Sequence, residues 1–191
     1  MLNTDGDIGR HITIGNYILE NWKIPTNDIF SHTMTGERLV PHEWLAQLIF
    51  GGIHKLAGLG GVVLLVSFLI ALTFTLTFRE MQNRGIFRLV ALLTTFLAAF
   101  ASNLHWLTRP HVFTFLFTAV WTYQLGNRST KWWVFPLIML LWANTHGAFI
   151  AGFTIWLAFF AGWCWDFLLK RETKSTGLRL ATIGVSSLFA T

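Results

Sequence analysis

The chain has 191 residues, of which 53% are hydrophobic and 12% charged, with a formal net charge of +5, ten Trp and eighteen Phe. A soluble domain carries about 25% charged residues, so the composition excludes a disordered chain and argues against an ordinary soluble enzyme. It fits a polytopic membrane protein, as does the mean hydropathy of +0.53. Residues 1–58 hold six of the nine acids: Asp5, Asp7, Glu20, Asp28, Glu37 and Glu43. No basic stretch leads there into an apolar run, so no signal peptide is expected at Met1. Ile8, Ile12, Ile18, Leu19 and Trp22 recur near 3.6-residue spacing and predict a helix over 8–22, with Asp7 as its N-cap. Residues 23–41 are rich in Pro, Asn, Asp, Ser, Thr and Gly and read as loop. A second amphipathic helix follows, with Trp44, Leu45, Leu48, Ile49, Ile53 and Leu56 on one face.

Apolar spans come next: 60–78, 89–107, a shorter one over 112–125 opened by Pro110, and 132–143. The last of these is interrupted by Asn144-Thr145-His146-Gly147; 148–169 is long and Trp-rich, and 180–191 begins another span. The expected fold is all-α. It is a polytopic transmembrane bundle of about five or six spans (59–191) behind an external loop (1–58) that carries two amphipathic juxtamembrane helices. The single cysteine, Cys164, excludes an intrachain disulfide framework and any cysteine-based metal site.

Short-loop Lys and Arg set the expected orientation. Arg79, Arg84 and Arg88 follow the first span, Arg128 and Lys131 the third, and Lys170, Arg171, Lys174 and Arg179 the fifth. These alternate loops lie on one side, which the positive-inside rule makes cytoplasmic. The basic balance therefore reads as topology, and no nucleic-acid partner is expected. The sequon-like Asn127-Arg128-Ser129 falls on that side and is discounted as a glycosylation site.

All seven His (His11, His32, His42, His54, His105, His111 and His146) fall on the opposite side, with Arg10, Lys23, Arg38, Lys55 and Arg109. Ionisable residues at membrane level are costly and usually face an interior cavity. Asp5-Gly6-Asp7 can bind a divalent cation, divide into a metal ligand and a general base, or simply cap a helix. His42-Glu43 suits an acid–base or sugar-binding pair, or a carboxylate at a helix start. In the turn His105-Trp106-Leu107-Thr108-Arg109-Pro110-His111, Arg109 suits phosphate through its bidentate fork, or snorkels beside an interfacial Trp. Asn144 and His146 can bond a ligand or link helices.

Taken together these residues resemble a known family. The stretch Asp5-Gly6-Asp7-Ile8-Gly9-Arg10-His11, Gly15, Glu20, Ile24-Pro25-Thr26-Asn27-Asp28-Ile29-Phe30-Ser31 and His42-Glu43-Trp44-Leu45 resembles the first external loop of bacterial integral-membrane glycosyltransferases of the GT-C superfamily. Arg109-Pro110-His111 and Trp142-Ala143-Asn144-Thr145-His146-Gly147 look like further motifs of one branch of it. Relatives in that superfamily include protein mannosyltransferases and lipid A aminoarabinose transferases. The resemblance implies a bacterial inner-membrane enzyme with its site on the external, periplasmic face. It would move a sugar from a polyprenyl-phosphate donor to the hydroxyl of an external glycan, lipid or protein acceptor, with inversion.

Asp5 or Asp7 is then the expected base or the ligand of a divalent cation (Mg or Mn). Arg109, with His111 or Arg10, is expected to stabilise the departing lipid phosphate. His11, His42, Glu43, His105, Asn144 and His146 complete the expected substrate-binding set. In the family the acidic motif follows a first transmembrane helix, so missing segments at both ends, or a partner subunit, are expected. Two other classes use similar residues. A transporter or proton pathway would place ionisable groups within the membrane, with access from both faces. A haem- or metal-binding membrane protein would ligate through His105, His111 and His146.

Overall fold

The computed structural model describes residues 6–191, which are helical throughout apart from turns and one isolated bridge between Asn27 and Arg38. Helix α1 (Asp7–Asn21) buries Ile8, Ile12, Ile14 and Ile18 on the face that the isoleucine spacing marks, with His11 and Gly15 among them. Asp7 is the first helical residue and Gly6 the cap. The carboxylate therefore complements the helix dipole rather than capping the helix, which corrects the sequence expectation. The following loop is more ordered than its composition suggests. Asp28 Oδ1 accepts from the backbone N–H groups of Phe30 (2.8 Å) and Ser31 (2.9 Å), and Oδ2 from the Ser31 hydroxyl (2.7 Å). The backbone N–H of Ser31, then its hydroxyl, and then the Phe30 N–H hold the Asp28 carboxyl below its ordinary range. Gly36, at φ +89°, turns the chain so that the Leu39 N–H reaches the Thr26 carbonyl at 2.9 Å.

Helix α2 (Trp44–Asn83) joins the expected amphipathic helix and first span through a break at Gly58 (φ 63°, ψ −165°). Glycine adopts that backbone without a steric penalty. The remaining helices are α3 (Arg88–Ser102), α4 (His111–Gly126), α5 (Val134–Thr145), α6 (Ile150–Leu168) and α7 (Lys174–Leu188). Three segments are long and apolar enough to cross a membrane: Trp44–Asn83, Arg88–His105 and Gly147–Leu168. The sequence suggested five or six. At 1.5 Å per residue, α4, α5 and α7, with 16, 12 and 15 residues, reach only about 24, 18 and 22 Å against a hydrocarbon core of about 30 Å.

Two apolar clusters organise the packing. In one, Ile8 and Ile12 of α1 meet Phe50, Val62 and Val66 of α2 and Val112 and Phe113 of α4. In the other, Trp121 and Leu125 of α4 meet Phe135, Met139 and Trp142 of α5 and Leu180 and Ile183 of α7. Helix α4 thus bridges both. Glycines set the closest approaches. Gly15 and Gly51 bring α1 against α2: a Cβ at Gly15 would lie 1.9 Å from the Gln47 carbonyl oxygen. On α7, Gly177 and Gly184 seat the rings of Trp163 and Trp156 from α6. Those indoles also donate to the carbonyls of Thr173 (3.0 Å) and Leu180 (2.8 Å). Small residues that admit a neighbour's backbone or ring are the usual means of association where lipid weakens the hydrophobic drive. Helix α3 buries only Ala91 and leaves Leu89, Leu92, Leu93, Phe96 and Phe100 exposed, as a lipid-facing helix would.

Candidate functional site

Four chain segments meet at one end of the bundle. The start of α1 brings Asp7 and Arg10, and the residues before α2 bring His42 and Glu43. The turn between α3 and α4 brings Arg109 and His111, and the end of α5 brings Asn144 and His146. Their proximity follows from packing. The Gly15–Gly51 contact fixes α1 on α2, and Val112 and Phe113 at the head of α4 pack into the same cluster. Arg109 Nη1 lies 3.4 Å from Asp7 Oδ2, an ion pair between residues about a hundred positions apart in the chain. Trp44 donates its indole N–H to Asn144 Oδ1 at 2.7 Å and ties the start of α2 to the end of α5. His42 faces Gly147, where a Cβ would stand 3.7 Å from the imidazole Cδ2.

Glu43 and His146 form the half-buried centre, with Glu43 Oε1 at 3.6 Å from His146 Nε2. The network around His146 fixes its tautomer. The backbone N–H of Ala148 donates to Nδ1 at 3.3 Å. Trp142 Nε1 donates to Thr114 Oγ1 at 2.9 Å, so the Thr114 hydroxyl directs its own proton to His146 Nδ1, also at 2.9 Å. With two donors on Nδ1, the neutral ring carries its proton on Nε2 and turns it toward Glu43. Burial lowers the His146 pKa, and the neighbouring His111 and His42 push it the same way. Burial raises the Glu43 carboxyl above its ordinary range. His42, Arg10 and Arg109 oppose that rise and Asp7 adds to it. The site therefore sets an acid with a raised pKa beside a neutral imidazole, with two guanidinium groups close by. A half-buried carboxyl beside a neutral imidazole suits hydrogen bonds to hydroxyl groups, and a guanidinium suits an oxyanion or phosphate.

The structure brings together Asp7, Arg10, His42, Glu43, Arg109, His111, Asn144 and His146, all of them expected from the sequence. Two others are placed differently. His11 is buried between α1 and α2, beside the Phe50 ring and within 3.5 Å of Gln47 Nε2, as a packed interhelical histidine. The His105 side chain is exposed, and the residue contributes its carbonyl, which accepts from His111 Nε2. Asp5 lies outside the described residues. Among the described residues no group of three or more His, Cys, Asp or Glu is arranged to hold a metal ion. Of the pair expected to hold a divalent cation, Asp5 and Asp7, only Asp7 is among those residues. Thr114 was missed by the sequence reading, because a threonine inside an apolar run has no local signature of a tertiary partner.

These features define a helical protein with membrane-spanning character and a polar, charge-balanced site at one end of its bundle. Comparison with protein-family models, with curated proteins and with solved structures found no match.

Proposed function

We propose that the chain acts in an integral-membrane glycosyltransferase of the GT-C type, transferring a sugar from a polyprenyl-phosphate donor to an acceptor hydroxyl on the external face of a bacterial inner membrane. The observation that carries this reading is the convergence of two carboxylates, two guanidinium groups and a neutral imidazole, from four segments, beside helices fit to cross a bilayer. In this reading α4, α5 and α7, each shorter than the hydrocarbon core, make up the five or six crossings expected from the sequence only where their flanking turns or a locally thinned bilayer close the gap, and the acceptor is a glycan, lipid or protein.

The chemistry needs one base and one stabiliser of the leaving group. A carboxylate of the acidic cluster, Asp5 or Asp7, takes the proton of the acceptor hydroxyl. The oxygen then attacks the anomeric carbon on the face opposite the phosphate. The carbon–oxygen bond to phosphate breaks, the configuration inverts, and polyprenyl phosphate departs with the electron pair. Arg109 exchanges its ion pair with Asp7 for the charge developing on that phosphate, which frees the Asp7 carboxylate, with Arg10 and His111 beside it. Glu43 and His146 hold sugar hydroxyls, one as acceptor and the other as donor through Nε2–H.

The test uses the full chain in lipid nanodiscs with radiolabelled polyprenyl-phosphate sugars. Asp5→Ala, Asp7→Ala and Arg109→Ala are expected to lower transfer by roughly two orders of magnitude or more, the scale of one lost acid–base or oxyanion group. Transfer at the wild-type rate in both Asp variants would end the catalytic assignment. Donor retention unchanged in Arg109→Ala would end the phosphate assignment.

A further inference from the structure

At the other end of the bundle lies a second polar volume. A cavity of about 820 Å³ opens between the ends of α2 and α4, the body of α6 and the start of α7. It adjoins a groove of about 540 Å³ running between α2, α3 and α4, and the two share Glu80, Arg84 and Phe159. The cavity walls carry Arg84, Arg128, Arg179, Glu80, Asp166 and Glu172. The groove is mainly apolar, with Phe74, Met81, Ala98, Phe115 and Ala119 along it. Together they make one amphipathic space, charged at one end and oily along its length. Glu80 stands 22 residues beyond the Gly58 break, or about 33 Å along α2 at 1.5 Å per residue, the thickness of a bilayer core. Helix α4 runs from His111 at the candidate site to Gly126 on the cavity wall, so the charged end lies at the opposite end of the bundle from that site.

The charges are arranged for a ligand that carries both signs. Arg84 uses Nε on Glu80 at 2.7 Å and packs against Gly126, where a Cβ would stand 3.0 Å from Nη2. Arg128 uses Nη2 on Glu172. Arg179 spends Nη2 on the carbonyls of Asn127 (3.1 Å) and Thr130 (3.2 Å). A guanidinium has five N–H donors, so Arg84 and Arg128 keep several for a phosphate. The Asp166 carboxylate makes no hydrogen bond or ion pair with another described side chain, and it faces the same cavity as a ready acceptor for a cation. Three Arg against three acids leave the walls without net charge. An anionic headgroup would satisfy the guanidinium groups and leave Asp166 opposed, whereas a zwitterion satisfies both.

We propose that this space binds one zwitterionic glycerophospholipid, its phosphate on Arg84 and Arg128, its primary ammonium on Asp166 and an acyl chain in the groove. The assignment is independent of the sugar-transfer reading, since it uses none of the same residues.

The test is native mass spectrometry of the full chain released from nanodiscs made with equal phosphatidylethanolamine and phosphatidylglycerol. The wild type is expected to retain one phosphatidylethanolamine in preference to phosphatidylglycerol. Asp166→Asn is expected to weaken that retention roughly tenfold, the loss of one charge-assisted hydrogen bond, and to abolish the preference. Ala119→Trp, which fills the groove and leaves the headgroup contacts in place, is expected to lose the bound lipid as well; it decides the matter if Asp166→Asn does not fold. Equal retention of the two lipids by the wild type, or an unchanged preference in either folded variant, would overturn the proposal.

Discussion

Gly15→Ala tests the contact on which the candidate site is built. The new Cβ would lie 1.9 Å from the Gln47 carbonyl oxygen and 2.7 Å from its carbon, and both are backbone atoms that cannot rotate aside. Ordinary van der Waals contact begins near 3.4 Å, so α1 and α2 must part by about 1.5 Å. Overpacking a tight contact costs about 1–3 kcal/mol, and the rigid neighbour puts this site at the upper end. Against that stands the intrinsic helix preference of alanine over glycine, about 1 kcal/mol. The packing term wins, for a net loss of about 2 kcal/mol, or a Tm lower by about 4–8 °C for a chain of this size. Gly9→Ala is the internal control. It lies on the same helix with nothing within 4 Å, so only the propensity gain of about 1 kcal/mol remains and its Tm is expected to rise. The assay is thermal unfolding of both variants in one detergent, followed by helical circular dichroism. If Gly15→Ala proves as stable as Gly9→Ala, the close contact of α1 with α2 does not exist in solution, and the placement of Asp7 near Arg109 fails with it.

Other substitutions follow from the same geometry. Because burial raises the Glu43 pKa, its protonated form is favoured in the fold; that stability is full below the unfolded carboxyl value near 4.5 and is lost as pH rises through the raised value. Glu43→Gln should remove this loss, so the gap in Tm between variant and wild type widens in the variant's favour from pH 4 to pH 7, and a gap that stays constant would contradict the burial of Glu43. Thr114→Val leaves the Trp142 indole N–H without its acceptor, at a cost of about 1–3 kcal/mol in chemical denaturation, and Thr114→Ser should restore the wild-type midpoint. Gly177→Ala places a Cβ 2.1 Å from the Trp163 ring and should lower Tm and shift tryptophan fluorescence, while Gly162→Ala, with nothing within 4 Å, should not lower it.

Much of the site was legible because its residues sit where an apolar run stops. His42-Glu43, Arg109-Pro110-His111 and Asn144-Thr145-His146 are polar insertions between hydrophobic segments, and a turn between spans has few places to go except one end of a bundle. The residues that sequence reasoning misplaced depend on partners far along the chain. His11 lies on the isoleucine face of α1, and its burial became apparent only once Phe50 and Gln47 stood opposite. The Gly58 break was hidden among Gly60 and Gly61, since composition cannot say which glycine of a cluster takes the positive φ. Residues 132–143 read as most of a span, yet Trp132 and Trp133 belong to the turn before α5, so the helix is a short one that ends at the site.

The hydroxyls along the helices are mostly satisfied within their own helix. Thr73, Thr75, Thr77, Thr95 and Thr122 each bond back to the carbonyl four residues earlier, at 2.7–2.9 Å. Such bonds satisfy a hydroxyl within its own helix and leave nothing to attract a polar partner from elsewhere. Thr114 departs from that pattern: its hydroxyl reaches across to Trp142 and His146 on α5 and the turn that follows. A hydroxyl in an apolar helix that gives up its local carbonyl must be held by a partner that repays the exchange, and here the partner is the imidazole whose proton faces Glu43. The same reasoning separates the basic residues. Arg84 pairs with Glu80 one turn earlier at the end of α2, and Arg128 ties the α4–α5 turn to the α6–α7 turn through Glu172. Arg109 instead pairs with Asp7 across about a hundred residues, more than half of the chain, which no orientation signal requires. Such a pair needs both α1 and the α3–α4 turn in place, so the site is a product of tertiary packing and is lost whenever either element shifts.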